Sequence, residues 1–253
     1  MMVSCLTYLR ESSTGLQIIA ICIFLSLQCS HGFAQTLRVG LLHFPPFGIE
    51  GQNEHDPPHG IIVERLSRTF NRIGLENEIK IYPAKRLFRN LEYGSVDFLL
   101  ASESQAERFK DHAVFSTEPL MITRLRAYSY NKIIPLPEKK EDLNGLRVVT
   151  IRGYSYSGYL NYLNDPQNQI LKNTVNTHKS GFLLLISGRA DILLDYAYPA
   201  EFAMESLGEF EFNYKDLFRQ KIFFAMARTY PNGEAVLDQI VETYRTLGFD
   251  EYQ

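Results

Sequence analysis

The sequence predicts an α/β protein built as two lobes of similar design. Three observations predict it: one helix–glycine–strand device that the chain uses twice, the strand–helix alternation leading into each copy, and two extended segments placed to cross between lobes. Residues 94–100 (GSVDFLL) and 188–194 (GRADILL) each come after an apolar helix-like run, Leu87, Phe88 and Leu91 in the first case and Phe182 to Ile186 in the second. Each supplies a glycine where a helix stops and then a short apolar run of the kind a buried strand shows. Open α/β sheets bind ligands beyond the carboxyl ends of their strands, so the residues directly after each copy matter most. After the first comes Ala101 to Arg108, ending in a fixed cation, and after the second comes Asp195 to Tyr198, beginning with a fixed anion. A cleft between the lobes is therefore expected to hold a small zwitterion by both ends.

Taken in order, residues 37–42 (LRVGLL) read as a buried strand closed by Phe44-Pro-Pro-Phe47, whose prolines enforce an extended turn. A polar, proline-rich loop runs from Glu50 to His59. Gly60 then opens an amphipathic helix with Ile62, Leu66, Phe70 and Ile73 on one face, stopped by Gly74. Glu78 to Tyr82 is the next strand, Ala84 to Tyr93 a helix, and Val96 to Ala101 another strand, which is the grammar of a parallel sheet. Met121 to Asn131 is extended and is the first passage between lobes. Leu146 to Ile151 begins the second αβ series, with Gly153 to Gly158 (GYSYSG) at its carboxyl end and a Tyr-rich helix behind. A long polar segment from Asn164 to Lys179 leads to the second copy of the device. Lys221 to Ala227 returns as a strand to the first lobe, and Glu234 to Leu247 is a closing helix. The first lobe is thus expected to take residues 35–122 and 223–253, and the second 123–222, with the two crossings forming a hinge.

The N-terminus stands apart from this fold. Arg10 precedes an apolar run from Leu16 to Leu27, succeeded by small and polar residues up to Ala34, which is the pattern of a secretory leader cleaved near residue 34. The run is too short to span a bilayer comfortably. Cys29 suggests a lipoprotein alternative, against which the bulky Gln28 stands. All three cysteines lie in this leader, so the expected mature chain has no disulfide and no thiolate chemistry. At 253 residues with 45% hydrophobic and 22% charged side chains, the chain is of ordinary globular composition. A net charge of −3 and the lack of a basic stripe disfavour nucleic-acid binding.

In LRVG with FPPFG, PHGIIVERL, L-x-x-G-x-V-D before an E-R pair, GLRVVT-x-x-GYS and GRADILLD, taken in this order and spacing, the chain resembles the family 3 extracellular solute-binding proteins of polar amino-acid uptake. The resemblance implies a type II periplasmic-binding-protein-like fold, a periplasmic location, a monomer, a small-molecule ligand and an inner-membrane ABC permease as partner, with no cofactor and no catalysis. It also implies that Arg108 grips the ligand's α-carboxylate, that Asp195 takes its α-amino group, and that Phe44 stacks on its side chain. Gly153, Tyr154 and Ser155 would offer backbone N–H groups to the carboxylate. Ser102 stands where relatives place hydroxyls, and Tyr82 and Tyr196 sit at strand ends where stacking is expected. Departures from the family pattern are a segment from Asp97 to Arg108 one residue short and Glu103 beside the carboxylate grip. Unless Glu103 points away, it would repel a plain α-carboxylate.

Each candidate has a plainer reading. Arg108 fits a bidentate carboxylate grip, but it also fits an exposed charge in the polar run from Glu107 to Asp111; Asp195 also fits a strand-end turn. Neither is assigned to a core. The spacing G-x-S-x-x-G is not a nucleophile elbow, and no His and acid partners stand out for a serine hydrolase. His55 and His59 flank Pro57 and Pro58, which prevent the helix that would converge them on a metal. Two rivals to a transport receptor stay open: a small-acid dehydratase-like enzyme on the same fold, with Glu103 as a tuned acid, and a sensory receptor that reports ligand without transport.

Overall fold

The computed structural model describes residues 35–51, 53, 56–130, 134–154 and 156–248. The expected leader, His55 and Ser155 lie outside the described residues.

Two lobes share one sheet. Strands β1 (Leu37–Leu41), β2 (Asn77–Ile81) and β3 (Phe98–Ser102) alternate with helices α1 (Ile61–Arg72) and α2 (Ala84–Glu92); the short α3 (Glu103–Arg108) and β4 (Ala113–Phe115) come next. The long strand β5 (Met121–Ser129) crosses to β6 (Arg147–Ile151), α4 (Tyr159–Asn164), β7 (Leu171–Val175), α5 (His178–Ile186), β8 (Ile192–Tyr196) and α6 (Ala197–Glu205). Strand β9 (Asn213–Ala227) crosses back, and α7 (Gly233–Thr246) closes the chain's described part.

The strand order is β2-β1-β3-β9-β5-β8-β6-β7, with β4 also on β9. Each lobe therefore holds three parallel strands in the same order, β2-β1-β3 and β7-β6-β8, and completes its sheet with one antiparallel crossing strand, β9 and β5 respectively. The crossing strands pair with each other from Met121↔Ile222 to Ser129↔Asn213, with a register shift between Leu125 and Arg126.

The repeated device carries a matched ion pair in each lobe. Asp97, just ahead of β3, accepts from Arg38 of β1 through its backbone N–H (2.9 Å), Nε (2.8 Å) and Nη2 (2.6 Å). Asp191, ahead of β8, accepts from Arg147 of β6 in the same way, at 2.8, 3.1 and 2.5 Å. Each fork ties the first parallel strand of a lobe to the third, and the shared Leu-Arg-Val at residues 37–39 and 146–148 is its sequence mark. The Arg147 hydrogen bonds hold the Asp191 carboxyl below its ordinary value. The stability this confers is present above pH ~4 and is lost as pH falls through the depressed value. Asp97 is more enclosed than Asp191, with side chains 1% and 11% exposed. Urea unfolding of Asp97→Ala is expected to show a loss of about 2–3 kcal/mol, and Asp191→Ala a smaller one, because the same three donors are left unsatisfied at a more buried acceptor site.

The turn after β1 is held by α1. Ile61 and Ile62 donate their backbone N–H groups to the carbonyls of Pro46 (3.1 Å) and Phe47 (2.9 Å), satisfying part of the helix start. The approach is close enough that a Cβ on Gly60 would lie 2.7 Å from both carbonyl oxygens, and Gly60 has φ of 118°, so glycine is required there. This clamp fixes where Phe44 stands.

Two expectations are modified. The polar segment from Asn164 to Lys179 contains β7, an edge strand with a largely polar sequence, and the returning strand starts at Asn213, well before Lys221. Behind Gly153 the chain does not enter a helix directly: Tyr156 and Ser157 have positive φ in a 3₁₀ turn, and α4 starts only at Tyr159.

Candidate functional site

The carboxyl ends of β1, β3, β6 and β8 meet around a cavity of about 110 Å³ floored by the crossing strands. One side is Leu41, Phe44, Ile62, Leu100 and Ser102; the opposite side is Gly153, Tyr154 and Tyr196. The floor consists of Met121 and Thr123 from β5 with Gln220 and Ile222 from β9. Gln105 adds an amide at the start of α3, where its Oε1 accepts from the Ser102 N–H (2.9 Å) and Oγ (3.0 Å).

Phe44 is the aromatic hub across the cleft. Its ring lies 5.8 Å from Tyr154 and 5.6 Å from Tyr196, both edge-on, while Tyr196 stacks on Tyr156 at 5.9 Å. A polar chain runs behind these rings. Asp195 Oδ2 is 2.7 Å from His178 Nδ1, His178 Nε2 is 3.1 Å from the Tyr154 hydroxyl, and that hydroxyl donates to the His43 carbonyl at 3.0 Å. Asp195 and His178 thus satisfy each other behind the rings, and the Tyr154 hydroxyl links the pair to the His43 carbonyl. Burial pushes the Asp195 carboxyl up, opposed by His178 and by the Tyr196 N–H on Oδ1 (2.8 Å). Burial raises the Tyr154 and Tyr156 phenols as well, and takes Tyr196 to about 12, so these rings stay uncharged at neutral pH.

The structure brings Phe44, Ser102, Gly153, Tyr154 and Tyr196 to this cavity. Arg108 is not in its lining; it is exposed at the end of α3, with its guanidinium 5.1 Å from the Phe109 ring centre. Asp195 is fully buried rather than on a rim, because β8 is buried along its whole length and His178 of α5 covers the carboxylate. Glu103 is exposed and outside the lining, and Tyr82 packs against the cluster around Leu87 and Phe88. Sequence reasoning missed Thr123, Gln220, Gln105 and His178. Thr123 carried no local signal, since its strand, Met121 to Ser129 (MITRLRAYS), mixes polar and apolar residues throughout. Among the described residues no group of three or more His, Cys, Asp or Glu is placed to hold a metal ion, and no helix is long and apolar enough to cross a membrane.

Solved structures share this fold over most of the chain. A histidine kinase sensor domain with similarity to periplasmic binding proteins aligns over 85% of this chain and 90% of its own, at TM-score 0.66 and 21% identity. The GluR0 ligand-binding core in complex with L-glutamate aligns over 87% and 97%, at 0.68 and 14%. The substrate-binding protein of an amino acid ABC transporter aligns over 84% and 93%, at 0.62 and 20%, and holo ArgBP from T. maritima over 84% and 90%, at 0.62 and 21%. The fold is that of the periplasmic binding proteins. No family model and no curated protein matches the chain. Within this fold, the cavity occupies the cleft between the lobes.

Proposed function

We propose that the chain is an exported solute-binding protein that captures a small polar molecule, an amino acid or a derivative of one, and delivers it to an inner-membrane ABC permease. The observation that carries this reading is the cavity at the carboxyl ends of both parallel sheets, with aromatic walls and a few polar groups, which is the make-up of a small-molecule site. The similar structures that bind arginine or serve an amino acid transporter support the ligand class. The leader-like residues 1–34 support export. In this reading Phe44, Ser102, Gly153, Tyr154 and Tyr196 touch the captured molecule. A dehydratase gains no support, since no described carboxylate or imidazole lines the cavity.

Mass spectrometry of small molecules released on denaturing natively expressed protein tests the reading, and the released compound is expected to rebind. Small-angle scattering at saturation is then expected to show a smaller radius of gyration than the free protein, through rotation about β5 and β9. An unchanged radius argues for a rigid binder. The likeness to a histidine kinase sensor domain favours a second reading, a receptor that reports its ligand to a membrane partner. Uptake of the released compound in cells lacking this chain separates the two: transport requires the chain, and sensing leaves uptake intact.

A further inference from the structure

Thr123 and Gln220 are register partners on the two crossing strands, 2% and 5% exposed, and both line the cavity. The Thr123 hydroxyl is buried with no hydrogen-bond partner among the described residues. A buried polar group left unpaired in a folded protein calls for a specific explanation, and a ligand group seated in the adjoining cavity supplies one. The rest of the lining narrows the chemistry. Among the described residues it contains no Asp, Glu, Lys, Arg or His side chain; its side-chain polar groups are the hydroxyls and amides of Thr123, Gln220, Ser102 and Gln105, with two phenols. Asp195 and His178 lie behind the tyrosines and outside the lining, with the carboxylate fully buried and engaged by His178 and the Tyr196 N–H. An ion entering this cavity would lose its water without meeting a countercharge, which is strongly unfavourable.

We infer that the cavity selects an uncharged ligand, a small apolar body whose neutral amide or hydroxyl hydrogen-bonds to Thr123 and Gln220 on the crossing strands. This deepens the solute-binding reading and rests on it: of an amino acid and its derivatives, the site takes a derivative without free charges. The amide of Gln220 both donates and accepts, and the Thr123 hydroxyl does the same, so one primary amide satisfies both. Because the two residues belong to the two crossings, the ligand ties together the strands about which the lobes turn.

The test is a charge series on one branched body: isobutyramide, isobutyrate, isobutylammonium and L-valine, titrated into ¹⁵N-labelled protein and monitored by amide shifts. Isobutyramide is expected to bind at least about tenfold more tightly than the other three. Thr123→Val and Gln220→Leu are each expected to weaken isobutyramide about tenfold. Thr123→Val has a second readout of opposite sign: removing an unpaired buried hydroxyl is expected to raise the melting temperature of the ligand-free protein. Isobutyrate or L-valine binding as tightly as isobutyramide overturns the inference, as does undetectable isobutyramide binding. A lowered melting temperature in Thr123→Val shows the hydroxyl already satisfied and overturns its assignment. Mass spectrometry separates ligand charge from solute binding itself. A released zwitterion removes this inference and leaves solute binding standing, whereas a protein that releases nothing and binds none of the four probes removes both.

Discussion

Asp195→Ala is expected to destabilise the ligand-free protein by about 3–5 kcal/mol, the cost typical of removing one member of a buried pair. For a chain of this size that lowers the melting temperature by about 10 °C. The carboxylate is fully buried, and its two oxygens serve His178 and the Tyr196 N–H. Truncation leaves Nδ1 of a buried imidazole and one backbone donor without an acceptor, and it loosens the ring that orients Tyr154. Asp195→Asn keeps an acceptor in place and is expected to cost less. Thermal unfolding of the three proteins decides the matter, and an unchanged melting temperature in Asp195→Ala would return the residue to the ligand-gripping role that its strand-end position suggests.

Phe44→Ala is expected to open the cleft. Phe44 makes edge-on contacts with Tyr154 and Tyr196 across it, and such aromatic pairs contribute about 0.5–1.5 kcal/mol each. Losing two weakens closure by about 1–3 kcal/mol, roughly 5- to 150-fold in the closed-to-open ratio. The hydrogen bond from Tyr154 to the His43 carbonyl then holds the lobes with less help. Scattering of ligand-free Phe44→Ala is expected to give a larger radius of gyration than the parent, with ligand affinity reduced by a comparable factor. A parent-like radius would show that Phe44 lines the cavity without holding it shut.

Elements with apolar, locally periodic patterns were legible in the sequence: β1, β3, β8, α1 and α7 stand within a residue or two of expectation. The strand β7 and the first half of β9 were not, because both are edges whose exposed faces are polar, as in Asn213 to Gln220 (NYKDLFRQ). Strand-end aromatics such as Phe44 and Tyr196 were found from the rule that clefts lie beyond strand ends. Thr123 and Gln220 escaped because their meeting depends on a strand pairing that no local pattern encodes. The burial of Asp195 escaped for a related reason: it depends on His178, which lies 17 residues earlier on another element.

The exchange of crossing strands bears on how the chain acquires its structure during synthesis. The inner edge of β3 is closed only by β9, with Phe98 opposite Met226, so the first lobe to emerge from the ribosome cannot complete its sheet until almost all of the chain has been made. The segment from β5 to α6, by contrast, brings β5, β6, β7 and β8 together without waiting for β9. The second lobe is thus the one able to assemble during translation, while the first waits with an open strand edge, the kind of surface on which chains associate wrongly. Truncation ahead of Asn213 would leave β3 with an open edge while the second lobe keeps all four of its own strands, so the first lobe is the half that cannot be cut out as a self-sufficient piece.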